Sequence, residues 1–269
     1  VDFEDVICKN GASARGERRR RGRRAGRRDM GAGAEEDTGD EGAEGSPPER
    51  PRLPYDRLML GGAVAAVALG LVFTGWVAWR EYAAQRLERM SFSLIAGFAT
   101  GEKPADLDRW VALCGAQCPA RGIEAAAAAK AALAGKAAGP ARAALYADAE
   151  MLTRRGLARS PLSAEGWARL ALILSAQAGD RATPAVLEAL RTSYAAGAFS
   201  RGAAVWRIGF CGAHWTGLDA GLRQRASEEL VWLAQVDPSL ADAVAAQVHD
   251  PAARFALQLA LSLRRADRP

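Results

Sequence analysis

The sequence predicts an all-α protein, with one transmembrane helix followed by a stack of helical hairpins that forms either a solenoid or a bundle. Three observations predict it. Ala and Leu dominate a chain of 269 residues in which apolar residues make up 49% and aromatic ones 7%, while the β-branched and aromatic residues that favour strands are scarce. A run of 21 residues from Met59 to Trp79, MLGGAVAAVALGLVFTGWVAW, carries no charge. Beyond it, helix-forming segments follow one another, most of them separated by Gly or Pro, with no alternating strand pattern. The same composition excludes collagen, a disulfide-rich miniprotein and a wholly disordered chain.

Charge is unevenly distributed. Residues 1–29 hold ten basic and five acidic side chains, residues 30–79 three and eight, and residues 80–269 twenty-three and eighteen. The run Arg18-Arg19-Arg20-Arg21 with Arg23, Arg24, Arg27 and Arg28 has the chemistry to contact phosphates of nucleic acid or anionic lipid. No aromatic residue interleaves with it, so a specific nucleic-acid reader is not expected. The chain begins with Val1, and Met30 opens a second reading of the start; under that reading 1–29 is not translated and no polyanionic partner is implied. Residues 1–57 are expected to be a disordered charged region. Glu35, Glu36, Asp37, Asp40, Glu41, Glu44 and Glu49 repel one another, and Pro47, Pro48, Pro51 and Pro54 stop helix growth.

The decisive segment is 58–79. At about 1.5 Å per helical residue, the apolar run matches the roughly 30 Å of a bilayer core. Arg57 and Arg80 bracket it, Trp76 and Trp79 stand where an aromatic belt belongs, and Tyr55 lies near the other interface. The alternatives are a buried core helix and a cleaved signal sequence. Soluble helices are seldom apolar on every side over this length, and Gly75-Trp76-Val77-Ala78-Trp79 lacks a small-residue cleavage site. Gly62, Ala66 and Gly70 fall four apart, a spacing that lets two membrane helices approach closely and form a homodimer; the alternative is that Gly and Ala simply abound here.

Orientation rests on basic residues near the ends of the span. Arg50, Arg52 and Arg57 precede it and Arg80, Arg86 and Arg89 follow it, which is a tie. The upstream Arg run favours a cytoplasmic N-terminus and an exported C-terminal domain. The Ala-, Arg- and Gly-rich composition resembles that of bacterial proteins, so the expected location is the inner membrane with the domain in the periplasm.

After the span, Leu87, Met90, Leu94 and Phe98 lie at helical spacing. Residues 80–140 are expected as amphipathic linking helices: one from Arg80, a short one over Asp106–Leu113 with Trp110 inward, and an Ala-rich one over Glu124–Ala138 broken by Gly139-Pro140. Residues 141–269 are expected to form the helical domain proper. Its helices are predicted over 141–160, 163–177, 184–194, 201–214, 218–235, 240–249 and 251–265, with Ser163 and Asp250 as N-terminal caps.

Within this domain, Trp167-Ala168-Arg169-Leu170-Ala171-Leu172-Ile173-Leu174 resembles the first helix of a tetratricopeptide repeat, which favours W-x2-L-G-x2-Y. Ala171 stands for the Gly and Leu174 for the Tyr. Leu187 and Leu190 fall near the inward positions of the following helix, Trp206 recurs 39 residues after Trp167, and Asp237-Pro238-Ser239 repeats a post-helix proline turn. The period departs from the family's roughly 34 residues, and Gly209 replaces the Leu three after Trp206. The resemblance covers residues 141–240 at most. It implies a non-enzymatic binding scaffold whose concave face takes a protein segment, with Arg169, Trp206 and Arg207 lining it and Trp167 packed between helices.

Reactive residues are few. Cys114 and Cys118 in CGAQCP are close enough for a small disulfide if Gly115 and Pro119 bend the chain and the domain is exported. The rival is a zinc site from Cys114, Cys118, Cys211 and His214, but the pairs are far apart in sequence, and no metal and no cofactor are expected. Nucleophile-elbow, phosphate-loop and dinucleotide motifs do not occur. The adjacent acids Glu228 and Glu229 read as a solvated surface. The expected role is a membrane scaffold or adaptor in an envelope assembly, by analogy cell-surface polysaccharide biosynthesis or export. The alternative is an accessory subunit of a larger membrane enzyme, as in cytochrome maturation, which a flat patch of exposed Trp206, Trp215 and Trp232 would favour.

Overall fold

A computed structural model describes residues 55–97 and 103–266. The Arg run, Cys8, the second start at Met30 and the acidic proline-rich stretch lie outside the described residues, as does Phe98. Among the described residues there is no strand. The helices are α1 (Tyr55–Ala96), α2 (Pro104–Cys114), α3 (Ala120–Lys136), α4 (Gly139–Leu157), α5 (Ala164–Gln177), α6 (Pro184–Ala196), α7 (Arg201–Ala213), α8 (Ala220–Val236), α9 (Pro238–Ala246) and α10 (Pro251–Ala266). Single 3-10 turns at Gly115–Gln117 and Trp215–Gly217 follow α2 and α7.

The chain divides into two units between Ala78 and Trp79. In the first, α1 is long and apolar enough to cross a membrane, and Val64, Leu69, Leu71, Val72 and Phe73 are all exposed. Among the described residues nothing covers this apolar stretch, a pattern that fits a membrane span better than the buried helix of a soluble core.

The second unit begins with the charged part of α1 and includes α2 and α3 together with every later helix. Ala83, Leu87 and Met90 of α1 are fully buried against Leu107, Ile123, Ala126, Ala127 and Leu152. Each large side chain buried there contributes on the order of 1.5–3 kcal/mol. The Ala-rich α3 is not a loosely held connector. Ala126, Ala127, Ala129 and Ala134 are buried, and their small size lets neighbouring backbones come close. A Cβ added at Gly122 would stand 3.0 Å from Ala84 Cα. Gly139, with φ +58°, makes the left-handed turn that reverses the chain from α3 into α4.

Helix starts are fixed by side-chain caps. Ser163 Oγ accepts from Gly166 N–H at 3.0 Å and Asp250 Oδ1 from Ala253 N–H at 2.9 Å. Thr183, Asp219 and Asp237 do the same for α6, α8 and α9. Such a cap contributes about 1 kcal/mol. The Arg191 hydrogen bond and the Leu222 N–H hold Asp219 below its ordinary pKa. Lys130 is buried on α3 between Asp108 at 2.6 Å and Asp148 at 3.1 Å. Burial pulls its pKa down, but the two carboxylates together outweigh burial and leave it raised.

Candidate functional site

Arg207, expected to line an open face, is instead at the centre of the core. It sits on α7 in the stripe Ala203, Ala204, Arg207, Ile208 and Cys211, and its exposure is 0%. Its partner is Glu229 on α8, also 0% exposed, in the stripe Leu222, Ala226, Glu229, Leu230 and Leu233. Arg207 Nε donates to Glu229 Oε2 at 3.1 Å and Nη2 to Glu229 Oε1. The remaining N–H groups reach Ser193 Oγ at 3.2 Å, Gly197 O at 2.9 Å and Ala198 O at 3.1 Å. The guanidinium also lies over the Tyr194 ring, 4.3 Å from its centroid. One arginine therefore ties α7 to α8 and to the turn after α6.

The physical reason for the correction is helical phase. Glu229 occupies an inward heptad-like position and Glu228 an outward one, so the two adjacent acids have opposite fates. Burial pushes Glu229 up to about 7, with Arg207 opposing. Burial also raises Tyr194, and lifts the Cys211 thiol to about 12, which leaves that cysteine without thiolate character.

Arg169 is half-buried on α5, and its Nη1 is enclosed with no hydrogen-bond partner. Burial lowers its pKa while Glu124 and Glu165 oppose the shift. It too faces inward more than outward. Trp206 is half-buried and stacks on Phe210 with centroids 5.0 Å apart; Phe210 in turn meets His214 at 4.5 Å. Trp215 is 7% exposed, so Trp206, Trp215 and Trp232 form no single flat patch. Trp167 is half-buried, and its Nε1 donates to Pro161 O at 2.8 Å, closing the turn before α5.

The open surface lies elsewhere. Phe199, 51% exposed, meets Trp232 at 5.7 Å. The two rings, with Val231, Gln224, Gln235 and Ala260, line a groove of about 420 Å³ on the outer face of α8. Trp232 was expected only as part of an exposed patch with Trp206 and Trp215. The missed signal is the α8 face Gln224, Ser227, Glu228, Val231 and Gln235, which recurs every three to four residues opposite the buried stripe.

Cys114 and Cys118 are joined by a disulfide, with Cα atoms 4.9 Å apart. Gly115 makes it geometrically accessible by taking φ +53° at the end of α2. Carbonyls of this short loop are capped by arginines: Arg80 Nε donates to Gln117 O at 2.8 Å, Arg159 Nη1 to Cys118 O at 2.8 Å and Arg159 Nη2 to Ala116 O, and Arg155 Nη2 to Gly115 O. With both thiols in that bond, the four-ligand zinc arrangement has lost two of its ligands. Among the described residues no group of three or more His, Cys, Asp or Glu is placed to hold a metal. Gly62, Ala66 and Gly70 are exposed on the apolar part of α1, and nothing lies within 4 Å of a Cβ placed at either glycine.

Compared with known proteins, the chain matches no protein-family model, no curated protein and no solved structure.

Proposed function

We propose that the protein is a single-pass, membrane-anchored adaptor whose tetratricopeptide-like helical domain holds a protein partner on the exported side of a bacterial inner membrane. The observation that carries the binding role is the Phe199–Trp232 groove. Large apolar rings stay half in water there, while the ionisable side chains of the core are sealed from any substrate. A surface of this kind binds; the buried Arg207–Glu229 pair braces the helices that present it. The repeat-like reading is supported by neighbour relations. α5 packs on α6 and on α7, and α7 packs on α8, as successive hairpins of a stack do. Anchoring is supported by the uncovered apolar length of α1. Export is supported by the Cys114–Cys118 disulfide, since such bonds persist in oxidising compartments.

Two measurements test this reading. Alkaline phosphatase fused after Pro269 is expected to be active and a cytoplasmic reporter at the same place silent; the reverse result removes the exported adaptor. A photo-crosslinking residue in place of Trp232, used in native membranes, is expected to capture a protein partner that the same probe in place of Met151 on α4 does not. Capture of the same products from both positions would remove the groove from consideration.

A further inference from the structure

The last helix, α10, carries two stripes of large apolar side chains, and only one of them is covered. Leu257 and Leu261, with Ala253, are buried against the rest of the domain. Phe255, Leu259 and Leu263 stand on another side of the same helix and are 70%, 45% and 59% exposed. Spaced four apart, they form a continuous ridge of the kind that packs into the groove of a neighbouring helix. Ala260, on a third side of α10, is a wall of the Phe199–Trp232 groove, so the open ridge is distinct from that groove. Among the described residues nothing covers it.

Charge and area indicate what does. The charged residues of α10 are Arg254, Arg264 and Arg265, and at about 100° per residue none of them falls on the ridge. A partner selected by its charge therefore finds nothing on the ridge to pair with. A second copy of the same ridge meets it without a like-charge clash when the two helices run antiparallel. The C-terminal ends, each bearing Arg264 and Arg265, then lie at opposite ends of the contact, and the helix dipoles oppose one another. Leu259, at the middle of the ridge, faces its own copy, and Phe255 of one chain faces Leu263 of the other. At 150–250 Å² for an aromatic side chain, Phe255 and the two leucines together offer on the order of 300 Å² of uncovered apolar surface. A standard interface takes about 800 Å² per partner, rather more than half of it apolar. The ridge is too small to hold free copies together firmly, and it suffices for copies that an anchor confines to one membrane.

We propose that the Phe255–Leu259–Leu263 ridge of α10 packs antiparallel on the same ridge of a second copy of this chain. The adaptor is then a two-fold pair presenting two Phe199–Trp232 grooves. This goes beyond the partner-binding role and rests on the membrane-anchor reading for its strength.

The test is cysteine crosslinking of the full chain in native membranes, in a C8S background. Cys114 and Cys118 are bonded to each other and Cys211 is buried, which leaves an introduced thiol as the reactive one. On oxidation with copper phenanthroline, L259C is expected to shift to the mass of two chains. F255C alone and L263C alone should stay at the mass of one, because each lies about 12 Å along the helix axis from its own copy. The two variants expressed together should link to one another. L162C, exposed in the turn between α4 and α5, sets the background. Adding F255E to L259C should reduce its product to that background; the residue is exposed, so the chain still folds. L259C linking no more than L162C, or unchanged by F255E, overturns the proposal. F255C linking to itself as readily as to L263C overturns the antiparallel pairing, and so does a dimer held by α1 alone, which would link at none of these positions. A product of L259C with a chain of different mass overturns the second copy in favour of another protein. Loss of the protein to an alkaline carbonate wash would instead remove the anchor; an integral protein without the L259C product would remove the pairing alone.

Discussion

Replacing Glu229 with Gln separates a buried brace from an exposed lining arginine. In the wild type the Arg207 guanidinium is fully enclosed, and among the described residues Glu229 is the carboxylate paired with it. E229Q leaves that charge in the core, at a cost of about 3–5 kcal/mol. R207M should cost a similar amount, because it strands the carboxylate and uncaps Gly197 O and Ala198 O. The double variant R207M/E229L removes both charges and withdraws the partners of Gly197 O, Ala198 O and the Ser200 N–H, at roughly 1–3 kcal/mol each. The double variant should therefore cost less than the sum of the two single ones, by about 1–3 kcal/mol. Urea titration of the full-length protein in mild detergent, followed by far-UV circular dichroism, measures all of them. Single variants each costing under about 1 kcal/mol, or costs that simply add, would refute the buried brace.

Three further outcomes follow from packing and covalent structure. Reducing the Cys114–Cys118 bond, or substituting C114S/C118S, should cost about 2 kcal/mol for so short a loop; a thermal melt with and without reductant measures it. In the same folded protein Cys211 should resist alkylation until the chain is unfolded, as a mass-shift assay will show. G122A should destabilise by about 1–3 kcal/mol, because its Cβ meets the backbone of Ala84. Unchanged stability in G122A would mean that α1 and α3 are not in close contact.

What the sequence by itself determined was periodicity and punctuation. The apolar run from Met59 to Trp79 and nearly every helix from Asp106 onward were legible, because the helical repeat, Gly, Pro and the caps at Ser163 and Asp250 act within a few residues of one another. The spacing of Cys114 and Cys118, with Gly115 between them, left a bridge open as one of two alternatives. Tertiary structure decided everything that depends on which face of a helix meets which neighbour. Arg207 looked like a lining residue because an arginine on a repeat helix is ordinarily solvated, and only α8 supplies the carboxylate, 22 residues away, that makes its burial tolerable. Glu228 and Glu229 are indistinguishable as a pair of letters, and a rotation of about 100° around the helix axis puts one in water and the other in the core. The Ala-rich α3 was expected only as a linking helix. Small side chains are what allow α1 and α4 to close upon it, and closeness between segments distant in the chain is a property of the fold, not of any local stretch of it.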